Sequence, residues 1–429
     1  MTPRSREEIG PAREVATIGG AFLTYGSIFF DRLAPLYLVA LIARDLGVPS
    51  AAEGTLALMI GFGWALAMPI VRTTTGRFDD RSRIAVAAVM SAGCSLASAA
   101  APSWIWFVAF RGLGGVFAGS GSPAFTSLMY SVAPARRRGL DLGIVQSSTR
   151  LIGSMVAPVV VTAVAVAAGW REAMVVSALI LISSVGLFLL TVPGGRRRPG
   201  AQAAKEPFAW RRGGRRNMVL CALGCVILLA WLTIWSQSSV TLVEGWLGVG
   251  ADEAGRRVGL FGIGAGVGAL LLPITSDRIG RRAAVAIGGL VGGGAGVAVG
   301  VLAALAVVPP DWVVGTTVLL SGTAMGVLPL TISIVPAEAV ASGDRARALV
   351  IPISSGEVLG AALLPVFAAV LAVPLGHATV VGLAAAAVLG LVVVSWLLRP
   401  LEEEAVGGAA GPIPGQVDDV ACGDEPDGR

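Results

Sequence analysis

Charge is what this sequence has least of. Only 14% of its 429 residues are Asp, Glu, Lys or Arg, against roughly 25% in soluble domains. With 55% apolar residues and a mean hydropathy of +0.79, the chain is no water-soluble globule and belongs in lipid. Histidine and cysteine are nearly as scarce. One histidine, His377, and four cysteines leave nothing from which to build a metal centre or a disulfide framework. Cys221 and Cys225 lie four apart on one apolar run, without a third ligand beside them. They read as small buried apolar side chains, as does Cys94 in another run, and Cys422 falls in the C-terminal tail. A phosphate-binding glycine loop and a soluble domain of any size are also missing, so neither an enzyme nor any cofactor is expected.

What the chain does have is long apolar runs. Runs of about 20 residues suffice to cross a bilayer as helix. Twelve occur, at approximately 16–42, 53–71, 84–101, 104–132, 140–168, 171–192, 217–241, 254–274, 283–306, 312–336, 346–372 and 378–398. Residues 1–20 hold no short apolar core with a cleavage site, so the first run is expected to be an uncleaved span. Of the 32 Lys and Arg, 25 fall on one alternate set of ends and loops and 4 on the other. The positive-inside rule then predicts a multi-pass protein of the cell membrane with both termini cytoplasmic. The net charge of +5 reads as this bias toward anionic inner-leaflet lipid and not as nucleic-acid binding.

The only long polar stretch between spans, 193–216, carries eight cations and one acid and is expected to lie on that leaflet, with Phe208 and Trp210 at the interface. It divides a six-helix half, 16–192, from a second, 217–398. Residues 1–15 form a cytoplasmic N-terminus, and 399–429 an acidic tail too poor in apolar residues to fold. Helix interiors dense in glycine, as in Gly288-Gly-Leu-Val-Gly-Gly-Gly-Ala-Gly, predict close backbone approach between spans.

A short charged turn appears twice, about 200 residues apart. One copy is Gly76-Arg-Phe-Asp-Asp80-Arg81-Ser-Arg83; the other is Asp277-Arg278-Ile279-Gly280-Arg281-Arg282. An acid followed by arginines does not enter hydrocarbon cheaply, so each must cap a pair of spans on the same side. Topogenic arginines alone would not need the paired aspartates. Twelve spans in two halves with these turns after the second and eighth resemble the major facilitator superfamily over roughly 16–398. The likeness implies its all-helical fold of two pseudo-symmetric six-helix bundles. It also implies a cytoplasmic latch between the halves, made by Gly76, Asp80, Arg81, Asp277, Arg278, Gly280, Arg281 and Arg282. The first copy departs from the family pattern at Arg83 and Ile84, and the second has Pro273 in place of the leading glycine.

Charge at depth is functional by default. The first span has Asp31-Arg32, the fourth Arg111, the fifth Arg150 and the eleventh Glu357. Three cations against two carboxylates predict an electropositive cavity that favours an anion. Arg111 is expected to bind it bidentately, with Arg32 as alternative contact; the competing reading pairs Arg111 with Asp31 to hold two spans together. Gln146-Ser147-Ser148-Thr149-Arg150 is expected to line the cavity, and Trp231, Trp235 and Gln237 to wall it, with plain bundle packing as the alternative for the tryptophans. Glu357 has no cation in its own span, so desolvation is expected to raise its pKa and make it the proton carrier, with Asp31 second.

The Asp31-Arg32 pair, Arg111 and the stretch from Arg111-Gly-Leu-Gly-Gly to Gly169-Trp170-Arg171 resemble the anion:cation symporter branch. That likeness implies import of organic carboxylates with protons. Where the branch often has a glutamate seven residues after the arginine, this chain has Ala118. The expected function is therefore secondary active transport of a small organic anion by a monomer, coupled to protons. Export of drugs or metabolites is the alternative, weakened because Ala157-Pro158 lacks the flanking glycines usual in antiporters.

Overall fold

The computed structural model describes residues 11–74, 79–132, 138–192, 210–211, 213–340 and 348–399. Gly76, Phe208 and the acidic tail lie outside these residues. The described chain is helical, with one isolated antiparallel bridge between Trp210 and Val340.

Among the described residues, twelve helical segments cross the molecule. α1 is Pro11–Tyr37, continued past Leu38 by Val39–Asp45 at a 54° bend. α2 is Gly54–Thr74, α3 Asp80–Ala99 and α4 Trp104–Val132. α5 runs Arg138–Arg150, then a π-helical stretch Leu151–Val156, then Ala157–Ala167. α6 is Trp170–Thr191, α7 Gly214–Leu247, α8 Ala251–Ile279 and α9 Arg281–Ala304. α10 occupies Asp311–Glu338, with 3-10 and π interruptions at Thr323–Val327 and Leu330–Ile334. α11 opens with Val350–Ser355, turns π-helical over Gly356–Leu363 and ends at 375, where Gly376 at φ 80° breaks the rod; α12 is 377–397. That φ is left-handed and suits glycine. Among the described residues, α1 to α12 correspond one for one to the twelve apolar runs.

Glycine decides how closely these rods pack. On α8, Gly255, Gly259, Gly262 and Gly266 share one face and meet Thr162, Met155, Ser154 and Leu151 of α5, while Gly264 and Gly268 meet Leu319 and Thr323 of α10. A methyl group on Gly259 would stand 2.9 Å from the Met155 carbonyl oxygen. Gly54 and Gly61 of α2 likewise meet Val366 and Ala362 of α11. These α5/α8 and α2/α11 contacts join the two halves, and they run from mid-depth toward the arginine-poor end.

The charged turns sit at the opposite, arginine-rich end and bond within their own halves. Asp79 caps α3 by accepting from the Ser82 amide at 3.2 Å, Asp80 pairs with Arg83 at 3.5 Å, and Arg81 donates to the Leu189 carbonyl. In the second turn Arg281 joins Asp277 to Glu338, the latter at 2.9 Å, and Arg282 donates to the Leu398 carbonyl. Asp277, Arg278 and Gly280 are exposed.

Candidate functional site

Asp31 and Arg32 are neighbours on α1 and so point about 100° apart. The structure sends them to different halves. Asp31 turns into its own half, where its carboxylate accepts from Ser95 at 2.5 Å, Ser177 at 2.8 Å and Ser91 at 3.3 Å, and pairs with Arg111 at 3.5 Å. Arg111 also donates to Ser95 Oγ and to the Asp31 backbone carbonyl. That carbonyl is free because the residue four ahead is Pro35, which has no N–H to donate. Arg111 thus has the partner of the competing reading, Asp31 of α1, while its Nε makes no hydrogen bond.

Arg32 crosses to the other half. Its Nη1 and Nη2 donate to Oε1 and Oε2 of Glu357 at 3.1 and 2.5 Å, a bidentate ion pair between α1 and α11. Its guanidinium lies 4.2 Å from the Trp64 ring centroid and 5.7 Å from that of Phe29. Glu357, with no cation in its own span, thus finds one on α1. Its partner is 325 residues away, beyond the reach of any span-by-span inspection.

Arg150 ends the α-helical part of α5, just before the π stretch. It is 6% exposed, its Nη1 makes no hydrogen bond, and it lies within electrostatic range of Arg32, Glu357, Tyr25 and Tyr37. Tyr25 hydrogen-bonds Ser122 at 3.0 Å, and Tyr37 accepts from Ser236 at 3.4 Å. Both polar centre charges on α5 and α11 thus adjoin a π segment, a distortion that recurs at functional sites.

The predicted α5 lining is corrected at its three hydroxyl residues. Ser147, Ser148 and Thr149 are buried and turn their hydroxyls back to carbonyls three residues earlier, as helical Ser and Thr readily do. Gln146, one turn before Arg150 on the same face, is exposed. Trp231 and Trp235 take the packing alternative: both are fully buried, and Trp235 stacks on Phe261 of α8 at 5.1 Å. Gln237 is buried with Oε1 unpartnered. Tyr25, Tyr37, Trp64 and the three serines around Asp31 were missed in sequence. The spacing of Ser91 and Ser95, four apart on one span, was the available signal. Among the described residues no group of His, Cys, Asp and Glu is placed to hold a metal.

Two six-helix bundles joined at small-residue faces, with a buried ion pair where they meet, define a polytopic membrane carrier fold. The Major Facilitator Superfamily model matches residues 18–246, more than half of the chain, and the chain belongs to that superfamily. It is 25% identical over 232 residues to a probable sulfoacetate transporter, SauU, of Cupriavidus necator, covering 53% of each chain. It is 26% identical over 253 residues to the uncharacterized MFS-type transporter Rv2994 of Mycobacterium tuberculosis, covering 57% of this chain and 55% of that one. The chain thus spans about half the length of the curated relatives it matches. Among solved structures, a D-xylose-proton symporter superposes with TM-score 0.68 at 17% identity, covering 91% of this chain and 98% of the other. A bacterial homolog of the human lysosomal transporter Spinster, inward-facing and unoccupied, gives 0.67 at 16%, covering 91% and 95%. At such identities the likeness is one of fold.

Proposed function

We propose that the protein is a proton-coupled symporter that moves a small organic anion across the cell membrane by alternating access, as a monomer with both termini cytoplasmic. The observation that carries this reading is Arg150, a buried guanidinium with an unfilled donor beside the Arg32–Glu357 pair. An uncompensated cation at that depth is costly unless an anion joins it. The relative whose name gives an organic anion as cargo supports the same choice. Arg32 and Arg150, with Gln146 and Gln237, take the substrate; Glu357 carries the proton; Arg111 and Asp31 hold α1 in place. The two halves, 16–192 and 217–398, rock about this centre, with the charged turns as the latch in the outward-facing state.

Reconstituted into liposomes, the protein is expected to accumulate organic anions when the outside is made acidic, and to stop when a protonophore collapses the gradient. Glu357→Gln should lose accumulation and keep substrate exchange. Uptake of amphipathic cations in place of anions would overturn the reading in favour of a drug or metabolite exporter.

A further inference from the structure

The charges at the junction of the halves do not cancel. Arg32 and Glu357 neutralise one another, whereas Arg150 faces no carboxylate of its own among the described residues. Asp31 is already held by Arg111 and three serines. Asp141 is buried, but it stands nine residues before Arg150, hence on the opposite face of α5 and about 13 Å away along its axis. The centre therefore carries one unanswered positive charge. Glu357 engages both Nη atoms of Arg32, the bidentate arrangement a substrate oxyanion would adopt. The cavity beside Arg32, lined by Phe29, Leu36, Ile60, Leu229 and Ala361, measures only ≈ 10 Å³. That is about one water, so a ligand reaches Arg32 only as the bridge parts.

Resting on the reading of this centre as an organic-anion site, we propose that it is built for a small dianion. One oxyanion end replaces Glu357 on Arg32, the other takes Arg150, and the released Glu357 binds one proton from solution. Two guanidinium groups, a dianion and a neutral Glu357 sum to zero, whereas an ionised Glu357 would leave a buried negative charge facing the bound anion. The groups that reach Glu357 from the elements around it are Arg32 and Tyr25 of α1, Arg150 of α5 and Cys225 of α7. Only the two arginines answer its charge, and the substrate occupies both. A monoanion needs Arg150 alone. It binds with the Arg32–Glu357 bridge closed and takes up no proton.

The test is calorimetric titration of the purified full chain at neutral pH with linear dicarboxylates from malonate to adipate and with their monoamides, each in two buffers of different ionisation enthalpy. The best-fitting diacid is expected to bind at least about tenfold tighter than its monoamide, because its second carboxylate meets Arg32 at the high effective concentration that tethering to the first confers. About one proton should enter with the diacid and none with the monoamide. Arg150→Gln should erase the preference, and Glu357→Gln should bind the diacid without proton uptake. Should either variant fail to fold, the wild-type proton count decides alone. Equal binding of diacid and monoamide, or diacid binding without a proton, overturns the dianion proposal while leaving an anion site in place. Binding of no acid of any length overturns the anion-site reading itself.

Discussion

At the scale of single residues, adjacency in sequence concealed a division of labour. Asp31 and Arg32 could be recognised as functional from the sequence because charge is rare at helix depth, and the helical repeat required them to part. The pairing of Asp31 with Arg111 was legible as an alternative, but the partner of Arg32 was not, since Glu357 lies 325 positions away, nor were the three serines around Asp31, which come from α3 and α6. The burial of Arg111 and Asp31 gives their pair a measurable signature. Removing one member leaves a charge in a dry nest, which costs about 3–5 kcal/mol, whereas neutralising both removes the penalty along with the attraction. Asp31→Asn and Arg111→Gln should each lower the thermal midpoint followed by tryptophan fluorescence, and the double variant should lie well above the sum of the two losses. Strictly additive losses would detach Arg111 from Asp31 and return it to the list of substrate ligands.

At the scale of elements, the sequence marked where helices run but not where they are broken. The apolar runs located α1 to α12 because lipid imposes length and hydrophobicity together. The π stretches at Leu151–Val156 and Gly356–Leu363 carry no comparable mark, since they depend on packing between halves. Glycine is the one local sign of that packing. Its stripe on α8 has a counterpart in space, the α5 segment around Met155, that a wider side chain would push away. Gly259→Leu should therefore wedge the halves apart and reduce transport about tenfold or more, as overpacking at a closed interface predicts. Gly93→Leu on α3, where nothing lies within 4 Å of the added carbon, is the matched control and should transport normally. Rates measured in liposomes at equal protein density separate the two. Normal transport by Gly259→Leu would remove the α5/α8 contact from the working cycle.

At the scale of the whole molecule, the direction of the carrier follows from two independent asymmetries. The first is in the sequence: 25 cations on one set of ends and 4 on the other. The second is in the structure: the halves meet from mid-depth to the arginine-poor end through Gly54, Gly61, Gly255 and Gly259, while the charged turns at the arginine-rich end bond only within their own halves among the described residues. If arginine marks the cytoplasm, the contacts close the outer side and the unlatched turns face inward, which makes this the inward-facing form of the carrier. The assignment rests on the membrane sidedness of two loops. A phosphatase or fluorescent-protein reporter fused within 196–212 should report the cytoplasm, and one inserted at Pro309–Pro310, between α9 and α10, should report the outside. Both reporters on one side would destroy the even span count. Both signals exchanged would keep the fold but turn it over, so that the closed end faced the cytoplasm and the Arg32–Glu357 centre opened first to the outside.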